Sequence, residues 1–173
     1  LGMVGMNYIR VALISWFSLG SLSAVEVTTQ PQKGQDWVDL LENSESGMGL
    51  KHWRMVNVAE GTFQLKVDPR QAGEEVLVCT GKPTGIIRSA EVYENFLVEF
   101  EWRHMERKGM RANAGFFVWS DGLPSVGIPF SRSTEVQVAN FHKDTASFTR
   151  HGDIFPIHGA AMTPDPRFAA RGP

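Results

Sequence analysis

The chain is short of the features that staple small proteins or send them to polyanions. Cys79 is the only cysteine among 173 residues, so no intramolecular disulfide can form and a packed core must hold the fold. It stands in the apolar run Val76-Leu77-Val78-Cys79 and reads as a small buried hydrophobe rather than a reactive thiol. Lys and Arg number 17 against 19 Asp and Glu, a net charge of -2, which gives no polycationic surface for a nucleic acid. Helical periodicity is too scarce to carry a helical fold. The sequence has no internal repeat, no phosphate-cradling glycine loop, no Gly-x-Ser-x-Gly elbow and no His-Glu-x-x-His spacing. Its longest apolar run falls short of the roughly 20 residues a bilayer span needs.

That run has a different meaning. Arg10 precedes an uncharged stretch from Val11 to Val25, with its apolar heart at Val11-Ala12-Leu13-Ile14-Ser15-Trp16-Phe17 and small residues at Gly20, Ser21, Ser23 and Ala24. A charged start, an apolar middle and a small-residue end are the three parts of a secretory leader. Residues 1–24 are therefore expected to be a signal peptide cut after Ser23 or Ala24, and the protein to be secreted or periplasmic, with no membrane span once the leader is gone. A retained anchor is the alternative. Met6 gives the tidiest start for such a leader. Residues 25–35, containing the polar Thr28–Gln35, read as a linker, and 36–173 as the folded domain.

Within that domain short strands dominate. Asp36–Glu42 could form one or two helical turns. Trp53–Val58 and Thr62–Val67 alternate on either side of Glu60-Gly61, the signature of a hairpin. Glu75–Cys79 and Gly85–Ser89 add two further runs. Phe96–Arg103 is the strongest strand: period two places Phe96, Val98, Phe100 and Trp102 on one face, and Leu97, Glu99, Glu101 and Arg103 on the other. Ala114–Trp119 follows a basic loop, and Thr134–Val138 alternates again, with Glu135 and Gln137 opposite Val136 and Val138. Many short alternating strands predict an all-β antiparallel sandwich. The end of the chain, Pro164–Pro173, is loop chemistry without a closing strand, so the domain is expected to be truncated at its C-terminal end.

Three places could carry chemistry. Glu99, Glu101 and Arg103 would join Glu135 and Gln137 if their strands share a sheet face. Paired carboxylates are what sugar chemistry uses as acid and base or nucleophile, and an arginine can hold a carboxylate ionised or bind hydroxyls. A solvated outer face reads the same way. In Arg111–Trp119, Asn113 could bind a sugar hydroxyl, Gly115 permits close approach of a ligand or strand, and Trp119 could stack on a pyranose. These three could equally be a turn, a packing glycine and a core ring. In Phe148–Gly159, His151, Asp153 and His158 could supply an imidazole or ligate a metal, although the spacing supports no metal site. The cofactor is left unknown.

Taken in order, the motifs resemble a known family. Asp36-Trp37 with Trp53, Gly85–Ser89 with Tyr93–Arg103, Asn113-Ala114-Gly115-Phe116-Phe117 and Glu135-Val136-Gln137-Val138 together look like the 3-keto-disaccharide hydrolase domains, over about residues 36–163. The resemblance implies a concanavalin-like jelly-roll sandwich with a concave, sugar-facing sheet, and glycosidic cleavage of sugars oxidised at C3 by exported proteins. Carried onto this sequence, it singles out Glu101, Arg103, Asn113, Glu135 and Gln137. Departures are Ala114 in place of a serine, Trp119 near the family's arginine, the opening reduced to Leu41-Glu42-Asn43, and the absence of the final strands. A ketone at C3 acidifies the C2 proton, so a carboxylate or imidazole can remove it and expel the glycosidic group. Glu101 or Glu135 is the expected base, with Arg103 on the enolate or hydroxyls, and Asn113, Trp119, Gln137 and His151 as substrate contacts. The partner expected is a carbohydrate, either as substrate or as ligand of a non-catalytic binding module.

Overall fold

The computed structural model describes residues 4–13 (as backbone), 37–42, 50–71, 73–104, 113–124, 126–139, 150–163 and 165–166. The expected cleavage region, the linker, most of the basic stretch after His104 and the C-terminal tail lie outside them. Among the described residues every regular element is a strand: β1 Val4–Leu13, β2 Val38–Asp39, β3 Trp53–Val56, β4 Phe63–Val67, β5 Glu75–Cys79, β6 Ile86–Ser89, β7 Phe96–His104, β8 Asn113–Val118, β9 Ser133–Ala139 and β10 Ile154–Ile157. All pairings are antiparallel. The all-β sandwich predicted from alternation is the observed class.

One layer is the sheet built around β1. One of its edges pairs with β7 from Val4–His104 to Leu13–Phe96. The other takes β5 at Val4–Met6 and β2 at Arg10–Val11, with β4 beyond β5. The residues that read as the front half of a secretory leader thus form a strand here, because an apolar run can satisfy its backbone equally well in a sheet. The second layer holds two smaller sheets, β3–β6 and β8–β9–β10. Leu40, only 4% exposed, gathers Leu41, Trp53, Tyr93, Phe96, Val98 and Phe100 between the layers. Phe100 also stacks on Phe116 of β8, ring centroids 5.2 Å apart. The face of β7 read as apolar is therefore the core face, while Glu99 and Glu101 are exposed.

Two local expectations are corrected. Trp53–Val56 and Phe63–Val67 are strands, but they do not form a hairpin: β3 pairs with β6 and β4 with β5. Asn57 and Gly61 both take left-handed φ values, 58° and 77°, and the chain between them passes from one layer to the other. Gly85 completes the exchange, since a Cβ there would sit 3.0 Å from the Asn57 carbonyl carbon; without one, β6 can begin directly beside the end of β3. The described part of the Asp36–Glu42 segment, residues 37–42, is not helical either. Val38 and Asp39 pair with Val11 and Arg10, Asp39 Oδ1 accepts from Leu41 N at 2.9 Å, and Trp53 Nε1 donates to Leu40 O at 2.6 Å. Those partners hold a turn that delivers Leu40 to the core.

Candidate active site in the second layer

Strand register decides which polar side chains meet. In the β8–β9–β10 sheet, Gly115 lies opposite Gln137, and Phe117 opposite Glu135, which in turn lies opposite Phe155. Directly paired residues share a face, so Asn113, Gly115, Phe117, Glu135, Gln137 and Phe155 form one surface. Phe116, Val136 and Val138 form the other, the one that meets Phe100. Glu135 thus stands between two phenylalanine rings.

Its carboxylate lies across the strand beside it. A Cβ built on Gly115 would come 2.6 Å from Glu135 Cδ and 2.8 Å from Cγ, so only glycine leaves room for that side chain. The expectation of a close approach at Gly115 is met by a neighbouring carboxylate. Half-buried among apolar neighbours, Glu135 has its pKa raised from the ordinary 4.5 by desolvation. One row away, Gln137 is 4% exposed and its Nε2 donates to Asn113 Oδ1. That contact uses the Asn113 oxygen as acceptor, and the side-chain nitrogen of the exposed Asn113 remains a donor.

A cavity of about 720 Å³ borders this group. Consecutive residues of β8 and of β6 line it, so it meets the edges of both strands and lies between the two small sheets. Phe96, Val98 and Phe100 of β7 contribute to its floor. Arg88 of β6 lines it too. Its Nη1 donates to Ser89 O at 3.3 Å, and its buried Nε has no hydrogen-bond partner among the described residues. Sequence reasoning missed Arg88; the signal available was a lone cation inside the apolar run Ile86-Ile87-Arg88.

Trp119 also lines the cavity, 75% exposed and with φ 49°. The left-handed residue ends the strand after Val118. Just beyond it, Asp121 and Arg132 form a two-pronged pair at 3.0 Å on each arm, and Asp121 N donates to Arg132 O at 2.9 Å. The loop carrying Trp119 is closed at its base.

The structure does not bring Glu101 and Arg103 to this place. They belong to β7 in the other layer, on the face turned away from Phe116, so the condition that the two polar strands share a face is not met. Arg103 donates to Asp68 through Nη1 at 2.7 Å and Nη2 at 2.5 Å, and the Asp68 side chain is fully enclosed. The hydrogen bonds from Arg103 hold the Asp68 carboxyl below its usual range, and Asp68 raises the guanidinium in turn. Phe100, Glu101, Trp102 and Arg103 line a hollow of about 310 Å³ along β7. His151 adjoins the amide pair without lining the cavity: it is exposed, its Nδ1 lies 3.1 Å from the backbone oxygen of Gln137, and its ring is 4.9 Å from Trp102. His158 packs 6.0 Å from Phe130. Among the described residues no group of three or more His, Cys, Asp or Glu could hold a metal ion, and no helix is long and apolar enough to cross a membrane.

One face of the β8–β9–β10 sheet thus presents a half-buried carboxylate opposite two phenylalanines, with an amide pair one row away. The family described as 3-keto-alpha-glucoside-1,2-lyase-like domain matches residues 36–171, and the chain belongs to it. Neither the curated proteins nor the solved structures yield a match.

Proposed function

We propose that this protein cleaves glycosides of sugars oxidised at C3, by elimination across C1 and C2 with Glu135 as the base. The observation that carries the reading is the Glu135 carboxylate, desolvated between Phe117 and Phe155 beside the Asn113–Gln137 pair. Family membership supports the substrate class. Elimination asks for one base, and Glu135 is the one carboxylate on this face of β8 and β9. The ionised carboxylate takes the C2 proton. The electrons of that C–H bond form the C1–C2 double bond, the C1–O bond breaks, and the proton held by Glu135 passes to the departing oxygen. Charge that builds on the C3 oxygen during the step is met by Arg88, whose cationic fork lines the same cavity. Water then adds across the double bond to release the free 3-keto sugar.

A raised pKa suits this cycle, because the carboxyl must both accept and return a proton near its working pH. Conversion of Glu135 to Gln keeps the shape of the side chain and is expected to cut turnover of a 3-keto disaccharide about 10²–10⁴-fold, with binding retained. The second reading is a carbohydrate-binding module without catalysis, favoured by the exposed ring of Trp119. Turnover unchanged in Glu135→Gln, or absent in the wild type while binding persists, would select it.

Export is part of the same proposal. Protein recovered outside the cytoplasm should begin at Ala24 or Val25 when its N-terminus is sequenced. An intact N-terminus on soluble cytoplasmic protein would overturn this, and would fit Val4–Leu13 remaining in place between β5 and β7.

A further inference from the structure

The strand at the middle of the larger sheet is also the segment that reads as the front of a leader, and one molecule cannot use it both ways. A cut after Ser23 or Ala24 falls between β1 and β2, so Val4–Leu13 is no longer tied to the domain. β1 is not marginal to the sheet. It runs between β7 on one side and β5 and β2 on the other. Among the described residues no pairing joins β7 to β5 or β2 except through it. Its departure leaves two facing strand edges with unpaired N–H and C=O groups, in a sheet that carries Phe96, Val98 and Phe100 against the core. An extended chain is what has donors and acceptors at the spacing both edges need.

The register says what that chain must be. β1 lies antiparallel to β7, with a bulge between Met6 and Tyr8. Opposite the core-facing Phe100, Val98 and Phe96 stand Ile9, Val11 and Leu13, and opposite Trp102 and His104 stand Met6 and Val4. β5 agrees from the other side: it sets Leu77 and Cys79, which line the same cavity as Phe96 and Phe100, against Met6 and Val4. The groove therefore takes apolar residues at alternate positions. In the other phase the neighbours are acidic. Arg10 stands opposite Glu99 on β7 and opposite Asp39 on β2, and both carboxylates are on exposed residues. A cation at that position is opposed by a carboxylate on each side.

We propose that removal of the leader turns the space between β7 and β5 into an acceptor groove for a strand donated by a second polypeptide. The donor runs antiparallel to β7, is apolar at alternate positions and is basic opposite Glu99 and Asp39. β1 is then a placeholder that shapes the groove until the donor replaces it. The cut itself rests on the export proposal above; the groove is a property of the sheet.

A site for a sequence-specific protease, placed within residues 28–35 of the full chain, lets the cut be made in vitro whether or not a cell makes it. The fragment bearing β1 is then competed away with excess fluorescent peptide of residues 4–13, and binding is read by anisotropy. The cut chain should bind this peptide saturably, and the uncut chain should not. The Arg10→Glu peptide should bind about tenfold more weakly, because two opposite-charge pairs become like-charge pairs, and Val11→Asp should abolish binding. The cut chain freed of its fragment should melt at a lower temperature and recover when peptide is added. A freed chain that melts as the uncut one does and takes no peptide would overturn the groove. So would one that unfolds and is not restored by peptide. A freed chain that dimerises and refuses the peptide would mean that copies close the groove on each other, and the donor reading falls. If the peptide binds as expected while exported protein still carries residues 4–13, the groove stands and the export reading falls.

Discussion

Two strands of this protein carry the same pattern and put it to different uses. On β7, Glu99, Glu101 and Arg103 alternate with Phe100 and Trp102; on β9, Glu135 and Gln137 alternate with Val136 and Val138. In both, the apolar residues turn inward, as half-buried antiparallel strands require. The polar faces then diverge. That of β7 looks outward from the larger sheet, where Arg103 is committed to the enclosed Asp68. That of β9 looks onto a cavity, where Glu135 has no cationic partner among the described residues and burial raises its pKa. A carboxylate becomes available for proton transfer when its surroundings withhold a counter-charge, and an arginine becomes structural when they supply one.

The widest gap between the two faces should appear in catalysis. Glu101→Gln should leave turnover within about threefold of wild type, set against the loss of orders of magnitude expected for Glu135→Gln; comparable losses would show that the β7 face takes part in the reaction.

Stability should show the next largest difference. Arg103→Ala leaves an enclosed carboxylate without its partner and should lower the melting temperature by several degrees, with turnover per folded molecule little changed. Glu99→Ala, on the same face but exposed, should change unfolding free energy by no more than about 0.5 kcal/mol. Thermal melts and single-temperature kinetics on both variants check this, and a large drop in kcat for Arg103→Ala at full folding would break the assignment.

The smallest effect is a pH dependence. The folded-state pKa of Glu135 lies above its ordinary 4.5, so ionising it in place costs stability. That cost is absent below about 4.5 and grows as pH rises through the folded value. Glu135→Gln should therefore gain in melting temperature relative to wild type between pH 4 and 7. A flat difference, or one of opposite slope, would mean that the carboxylate is not desolvated.

Much of this was legible before any coordinates, and the part that was not has a common cause. Which residues of Phe96–Arg103 and Thr134–Val138 point inward follows from a period of two, a local property. Which strands lie side by side does not. The runs around Glu60-Gly61 look like a hairpin, yet each finds a better partner elsewhere, at β6 and at β5. Arg103 and Asp68 are 35 residues apart, and nothing in either neighbourhood announces the other. Trp119 could be read as core or as platform until its exposure was known. Asn113, Gly115, Glu135 and Gln137 were identified individually, and the register of β8 against β9 is what made them a group.

The contact between Gly115 and Glu135 makes two distant positions answer to each other. Any side chain at 115 would evict the carboxylate from its half-buried place, and the evicted group would swing toward water and lose its raised pKa. A shorter acid at 135 would retreat from the glycine and leave a void over β8. The two positions therefore constitute a single unit of variation: a redesign that moves the base must rewrite both at once, and one that preserves it can alter neither.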